Sequence, residues 1–203
     1  MVKKPVIFFL GKSGSGKDTQ AELLIKKFGF NFISSGGLLR EFKSHAVTFP
    51  EDSLERYEAD GIKRILDAGK FVPTLTVACQ WRFVALEIMK NHDKSTGLVF
   101  GGSPRKLAEA MILDDFFKNW PEAAEHFEIK PIVLALSDED AKKRLLLRGR
   151  EDDNEEAIKS RLAEFEEFVF PVIQYFKCDS HNIVKGSQSV EKVHEDVLKV
   201  LGL

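Results

Sequence analysis

Apolar residues follow two spacings along this chain. Short solid runs stand at 6–10, 31–33, 97–100, 131–136 and 182–185, the first reading Val6-Ile7-Phe8-Phe9-Leu10. Apolar runs of this length without polar alternation predict strands covered on both faces. Between the runs, apolar positions recur in steps of three and four, the period of helices laid on a sheet. The alternation predicts an α/β fold, a doubly wound five-stranded parallel sheet with helices on both faces. Ligands are then expected outside the carboxyl ends of the strands.

Helix signals refine this outline. Ser34-Ser35-Gly36-Gly37-Leu38-Leu39-Arg40 opens one helix with a hydroxyl suited to its N-cap. A second is predicted over 51–66 with Gly69 at its stop position, and Pro73 opens a long one over about 75–89. The first two make the stretch between the second and third strands too long for a plain crossover. Residues 35–72 are therefore expected to form a small helical insertion able to move, on a core of 1–34, 73–148 and 153–203. Later, Ile158, Leu162, Phe165, Val169, Val172 and Phe176 trace one stripe, which predicts a single helix over 155–176. A last amphipathic helix is predicted over 190–198. With no linker or repeat, residues 1–203 read as one domain.

After the first strand comes Gly11-Lys12-Ser13-Gly14-Ser15-Gly16-Lys17-Asp18-Thr19-Gln20, then the amphipathic Ala21-Glu22-Leu23-Leu24-Ile25. Strand, glycine-rich turn and helix start, in that order, are the setting of a phosphate-binding loop. Glycines let backbone N–H groups converge on an anion, and the helix aims its positive end at the same point. Lys17 would reach the outer phosphates as a point charge. Asp18 stands where Ser or Thr is usual in such loops, and Thr19 follows it.

Composition narrows the partners. The 203 residues are 43% hydrophobic and 31% charged, a balance suited to one ordinary globular core. A net charge of −2 creates no field for nucleic acid or an anionic membrane, and no apolar stretch approaches the ~20 residues of a membrane span. Lys3 and Lys4 precede an apolar run that ends in the glycine loop, so no signal peptide is expected. The expected location is the cytoplasm. There, Cys79 and Cys178, neither in a CxxC pair, read as buried free thiols with no structural zinc. Trp81 and Trp120 are expected in the core.

Arginines supply the remaining chemistry. Arg40, Arg105, Arg144, Arg148, Arg150 and Arg161 each sit near a turn, a helix end or an acidic cluster. Singly, each suits a surface position. Around one phosphate loop they read as a clamp, because arginine donates in a planar fork to phosphate oxygens and phosphoryl transfer spreads negative charge over them.

These segments together resemble the adenylate kinases, within the wider superfamily of nucleoside monophosphate kinases. Gly16-Lys17-Asp18-Thr19-Gln20 is similar to the family's GKGTQ, and Ser34 to Arg40 resembles STGDLLR. Asp67-Ala68-Gly69-Lys70-Phe71-Val72-Pro73 resembles DAGKLVT, and Gly101-Gly102-Ser103-Pro104-Arg105 resembles DGFPR. The stretch from Arg150 to Leu162 looks like RxDDxEExxxxRL. The resemblance implies small-molecule partners only: ATP with Mg²⁺, and a monophosphate, most simply AMP, the pair giving two ADP. It implies that Gly14, Ser15, Gly16, Lys17, Asp18, Thr19, Arg144, Arg148 and Gln188 hold ATP. Ser35, Gly36, Arg40, Lys70, Phe71, Val72, Gly102, Ser103, Arg105, Glu109, Arg150 and Arg161 would hold the monophosphate, making 35–72 the monophosphate-binding insertion. Lys17, Arg105, Arg148, Arg150 and Arg161 would act on the transferred group. The state implied is a monomer or small homo-oligomer.

Three departures mark this sequence. Relatives carry a lid of several to about thirty residues between the positions of Arg148 and Arg150. Only Gly149 intervenes here, leaving a vestigial lid at about 149–152. Gly37 and Gly101 stand where the family has aspartates, the latter orienting Mg²⁺ through water. Two readings of Asp18 follow: it supplies that carboxylate in the metal's outer shell, or it only favours the helix N-terminus. No direct protein ligand to the metal is expected. Glu109 replaces a glutamine that reads the adenine edge. A carboxylate only accepts, so the N1–H and N2–H of guanine suit it better than adenine's donor–acceptor edge. AMP is favoured on the overall match, with GMP, CMP or UMP as alternatives. A phosphotransferase with another small acceptor, or a nucleotide-binding homologue without catalysis, would also fit the loop.

Overall fold

The computed structural model describes residues 3–68, 70–91, 96–148 and 155–203. Along the chain run β1 (Lys4–Leu10), α1 (Lys17–Phe28), β2 (Asn31–Ser34), α2 (Ser35–Ser44) and α3 (Leu54–Asp67). Then follow α4 (Thr74–Lys90), β3 (Leu98–Gly101), α5 (Leu107–Asn119), α6 (Pro121–His126) and β4 (Phe127–Ala135). The chain finishes with α7 (Asp138–Arg148), α8 (Glu155–Glu164), α9 (Phe170–Tyr175), β5 (Ile183–Lys185) and α10 (Val190–Leu201). The strands form one parallel sheet in the order β2-β3-β1-β4-β5, as the run pattern predicts.

Strand geometry explains why β1 is apolar from Pro5 to Leu10. Successive side chains point to opposite faces. Val6, Phe8 and Leu10 enter one apolar cluster with Trp81, Leu113 and Val172. Ile7 and Phe9 enter the other, with Leu24, Val193 and Val197. The first cluster lies under α4, α5 and α9, the second under α1 and α10. A strand covered on both sides has no position for a polar residue.

β4 begins earlier than its apolar run, because 127–130 already pair with Lys4–Ile7 of β1. Pro131 sits inside it without breaking the ladder. Pairing with β5 begins only at Val133, and the Pro131 carbonyl instead accepts from Asn182 Nδ2 at 3.2 Å. Its missing N–H thus falls on a side with no strand to bond.

Helix starts follow the capping signals. Ser34 Oγ accepts from Gly37 N–H at the head of α2, Ser53 Oγ from Arg56 N–H on α3, and Ser189 Oγ from Lys192 N–H on α10. α3 starts three residues later than expected, since Ser53 is the cap and Glu51 and Asp52 lie in the turn before it. Gly69, the predicted stop, lies outside the described residues. The Lys70 N–H closes on the Ile65 carbonyl across it. In the segment 35–72, Leu39, Ile62 and Val72 share the cluster of Phe8 and Trp81. The segment is thus seated on the main core.

The predicted single helix over 155–176 is two helices joined by a π-turn, Phe165–Val169. Pro171 is the cause. It has no N–H to give, and in an α-helix its ring meets the carbonyl four residues back. The chain widens instead, and Phe170 N–H reaches the Phe165 carbonyl, five residues back. Two side-chain expectations also change. Cys79 is exposed on α4 and Cys178 half-buried, so only the free state of the thiols holds. Trp81 is buried, but Trp120 is 38% exposed, stacked on Phe116 where α5 ends.

Candidate active site

The carboxyl ends of β1 and β3 open into a cavity of about 680 Å³. Its floor is the glycine loop. Gly11 has φ 144°, and a Cβ there would stand 2.6 Å from the Leu134 carbonyl oxygen. No other residue fits. Gly16 (φ 93°) precedes α1 and carries no side chain to cap it, so first-turn N–H groups are left for an incoming anion.

Lys17 Nζ folds back on the loop and donates to the Gly11 and Lys12 carbonyls, both at 2.8 Å. Burial lowers its pKa to about 8; Asp18 opposes this and Arg105 adds to it. Arg105, after β3, lines the same cavity. Arg144 lies across the loop's far side, donating from Nη2 to Gly186 O at 2.8 Å and from Nη1 to Gly14 O at 3.4 Å. Arg148 and Arg161 complete the basic lining. Such a ring of fixed cations, closed below by N–H groups, can bind a polyphosphate and stabilise charge moving between two phosphates.

On the β3 side, Gly102, Ser103 and Arg105 line the cavity, the Ser103–Pro104 peptide being cis. Glu109 is buried and organises this turn: its Oε2 accepts from Arg105 N–H at 2.8 Å and from Ser103 Oγ at 3.2 Å. Gly36 packs close to the same turn. A Cβ on Gly102 would stand 3.6 Å from Arg105 Nη2 and 3.9 Å from Gly36 N, and one on Gly36 would stand 3.2 Å from Arg40 Nη1. Arg40 and Arg105 thus bracket a glycine contact between α2 and the β3 turn.

Of the residues assigned from sequence, Gly14, Gly16, Lys17, Asp18 and Thr19 line the cavity, as do Arg144 and Arg148. Phe71 and Arg161 line it with the β3 turn. Ser15 and Ser35 lie beneath, their hydroxyls buried without a hydrogen-bond partner. Val72 points into the apolar core, and Lys70 is exposed. Gln188 stands outside the cavity wall, its Nε2 bonded to Lys185 O and to Asp196 of α10. Arg150 and the short lid segment 149–152 lie outside the described residues.

The sequence reading missed part of the wall. Phe165, Phe168 and Val169 line the cavity from the π-turn, Glu164 from the end of α8, and Glu22 from α1. The one signal for the first group was Pro171 within a helical stripe. Among the described residues no group of three or more His, Cys, Asp or Glu is placed to hold a metal ion, and no helix is long and apolar enough to cross a membrane. Asp18 and Glu22, one turn apart, are the carboxylates on the loop side of the cavity. At Gly101 a side chain would displace the Phe32 ring. A Cβ there would stand 2.5 Å from Phe32 Cζ.

Comparisons with known proteins point to one family. The family model described as adenylate kinase matches residues 9–181. An adenylate kinase of Corynebacterium aurimucosum is 33% identical over 196 residues, covering 95% of this chain and 97% of its own. One from Leptospira biflexa is 31% identical over 199 residues, with 95% and 97% covered. One from Prochlorococcus marinus is 36% identical over 176 residues, with 86% and 85% covered.

Proposed function

The chain belongs to the adenylate kinase family and is a phosphotransferase of that family, and we propose that it moves the γ-phosphoryl group of ATP to AMP, giving two ADP. One observation carries this reading: Lys17 on the glycine loop and Arg105 after β3 line the same cavity. Donor and acceptor phosphates need cations on both sides of the migrating group, and a pure binding loop needs only one.

In this reading the loop N–H groups and Lys17 hold the β- and γ-phosphates. Arg105, with Arg40 beside it, holds the acceptor phosphate, and Arg148 and Arg161 neutralise charge on the transferred group. Arg150 joins them by family resemblance. An oxygen of the acceptor phosphate attacks in line, the bond to the β–γ bridging oxygen breaks, and no protein nucleophile is needed. Asp18 and Glu22 on the cavity wall would hold the Mg²⁺ that accompanies ATP through water, in its outer shell. When bound, the ion neutralises phosphate charge. The residues 35–72 are the monophosphate-binding insertion.

Formation of ATP from ADP alone, followed with a coupled assay, tests the proposal. ATP at background level would remove it. One observation favours GMP as a second acceptor: both donors on Glu109 bind its Oε2, which leaves Oε1 as a pure acceptor. Turnover of AMP, GMP, CMP and UMP with ATP decides between them.

A further inference from the structure

The cavity wall has a feature that phosphate binding does not use. We propose that the π-turn Phe165–Val169 is a fixed cover over the transfer site, stapled to both halves by cation–aromatic contacts. Phe168 and Lys106 are then positioning residues that keep water out. The proposal rests on the kinase reading above.

The turn is held at both ends. Phe165 faces Lys12 of the glycine loop, whose Nζ lies 5.4 Å from the ring centroid. Lys12 is itself fixed by an ion pair to Asp138 at the start of α7, at 2.6 Å. Phe168 meets Phe71 edge-on, with centroids 5.6 Å apart and planes at 74°. Lys106 Nζ sits 4.7 Å from the Phe71 centroid and 5.9 Å from that of Phe168. The positive ammonium faces the negative faces of both rings.

Position gives these contacts their meaning. Lys12 belongs to the donor loop. Lys106 follows Arg105, and Phe71 is where the 35–72 insertion returns to the core. One turn of helix therefore touches the donor loop, the acceptor turn and the insertion. All three phenylalanines line the cavity. Water in this site competes with the acceptor: its oxygen bonds the γ-phosphorus, the bond to the bridging oxygen breaks, and ADP and inorganic phosphate leave. A rigid apolar wall suppresses that reaction. Between Arg148 and Arg150 the chain has one residue, too little for a closing segment. The aromatic wall takes over that role without needing to move.

Three variants test this: Phe168→Ala, Phe168→Tyr, which keeps the ring, and Lys106→Met, a change at a half-exposed position. Two measurements are made on each. The first is amide hydrogen exchange in the ligand-free protein. The second is inorganic phosphate released per phosphoryl group transferred, with ATP, Mg²⁺ and AMP. Phe168→Ala is expected to speed exchange in α3 and 70–72 at least tenfold, with β1 and α10 unchanged, and to raise the phosphate ratio at least tenfold. Lys106→Met should fall between it and wild type, and Phe168→Tyr should match wild type. Unchanged exchange in both Phe168→Ala and Lys106→Met overturns the staple, and faster exchange with an unchanged ratio overturns the cover. Should wild type transfer nothing, the kinase reading fails, and exchange alone decides whether the staple exists.

Discussion

At the scale of single residues, the site depends on groups held ready for a charge. Lys17 bonds two carbonyls of its own loop, and burial keeps its pKa near 8. It is charged below that pH. A bound polyphosphate favours the charged form, so above about pH 8 binding must take up a proton. ATP affinity is therefore expected to fall as pH rises beyond 8, by up to about tenfold per unit, and calorimetry in Lys17→Met should show the slope gone. The same variant should lose about 10²–10³-fold in transfer rate, as when a preorganised donor is removed. Glu109 works differently. Its Oε2 holds the Arg105 backbone, a role that glutamine's oxygen can also fill, and under the proposed function its other oxygen would meet the base edge. Glu109→Gln is expected to shift the ratio of AMP to GMP turnover about tenfold toward AMP, with little change in ATP KM. An unchanged ratio would place Glu109 in the turn alone.

Elements set how those residues meet. β2 and β3 pair Ser34 with Gly101 and Phe32 with Val99, which lays the Phe32 ring over the Gly101 Cα. The missing aspartate and the aromatic ring are thus one feature. Phe32 is 47% exposed, so it can swing aside at modest cost. Gly101→Asp is expected to destabilise by about 1 kcal/mol, at the low end for overpacking, and Phe32→Ala in the same chain should return most of it. Additive effects in denaturant titrations would argue against this coupling. The π-turn is the other decisive element. The stripe Ile158 to Phe176 gives the right face for helices α8 and α9. Pro171 decides that Phe165 and Phe168 reach the cavity.

For the whole molecule, the glycine loop, the β3 turn and the 35–72 segment rest on one sheet with two apolar layers. Nucleotide binding should therefore stabilise the fold globally. At a hundred times its Kd, ATP adds about 2.7 kcal/mol, which for a chain of this size raises Tm by about 5–10 °C. Differential scanning fluorimetry with and without ATP checks this, and no shift would mean the ligand does not bind the folded cavity. Sheet, loop and capped helices were legible in the sequence because each rests on local spacing. Val6–Leu10 is solid because both faces are covered, Gly11 and Gly16 are glycines because the backbone turns there, and Ser34 precedes unpaired N–H groups, whereas the caps Ser53 and Ser189 emerged only with the fold. The family was legible because Gly16-Lys17-Asp18-Thr19-Gln20 and the later segments keep their order. Tertiary structure decided the rest. Val72 turns inward, Glu109 serves its own turn, Gln188 bonds Asp196, and Phe32 fills the space at Gly101, all through partners distant in the chain or through how the local turn is packed. Spacing along a chain records which face a residue takes. What it meets on that face depends on how the layers close, and only the folded molecule sets that.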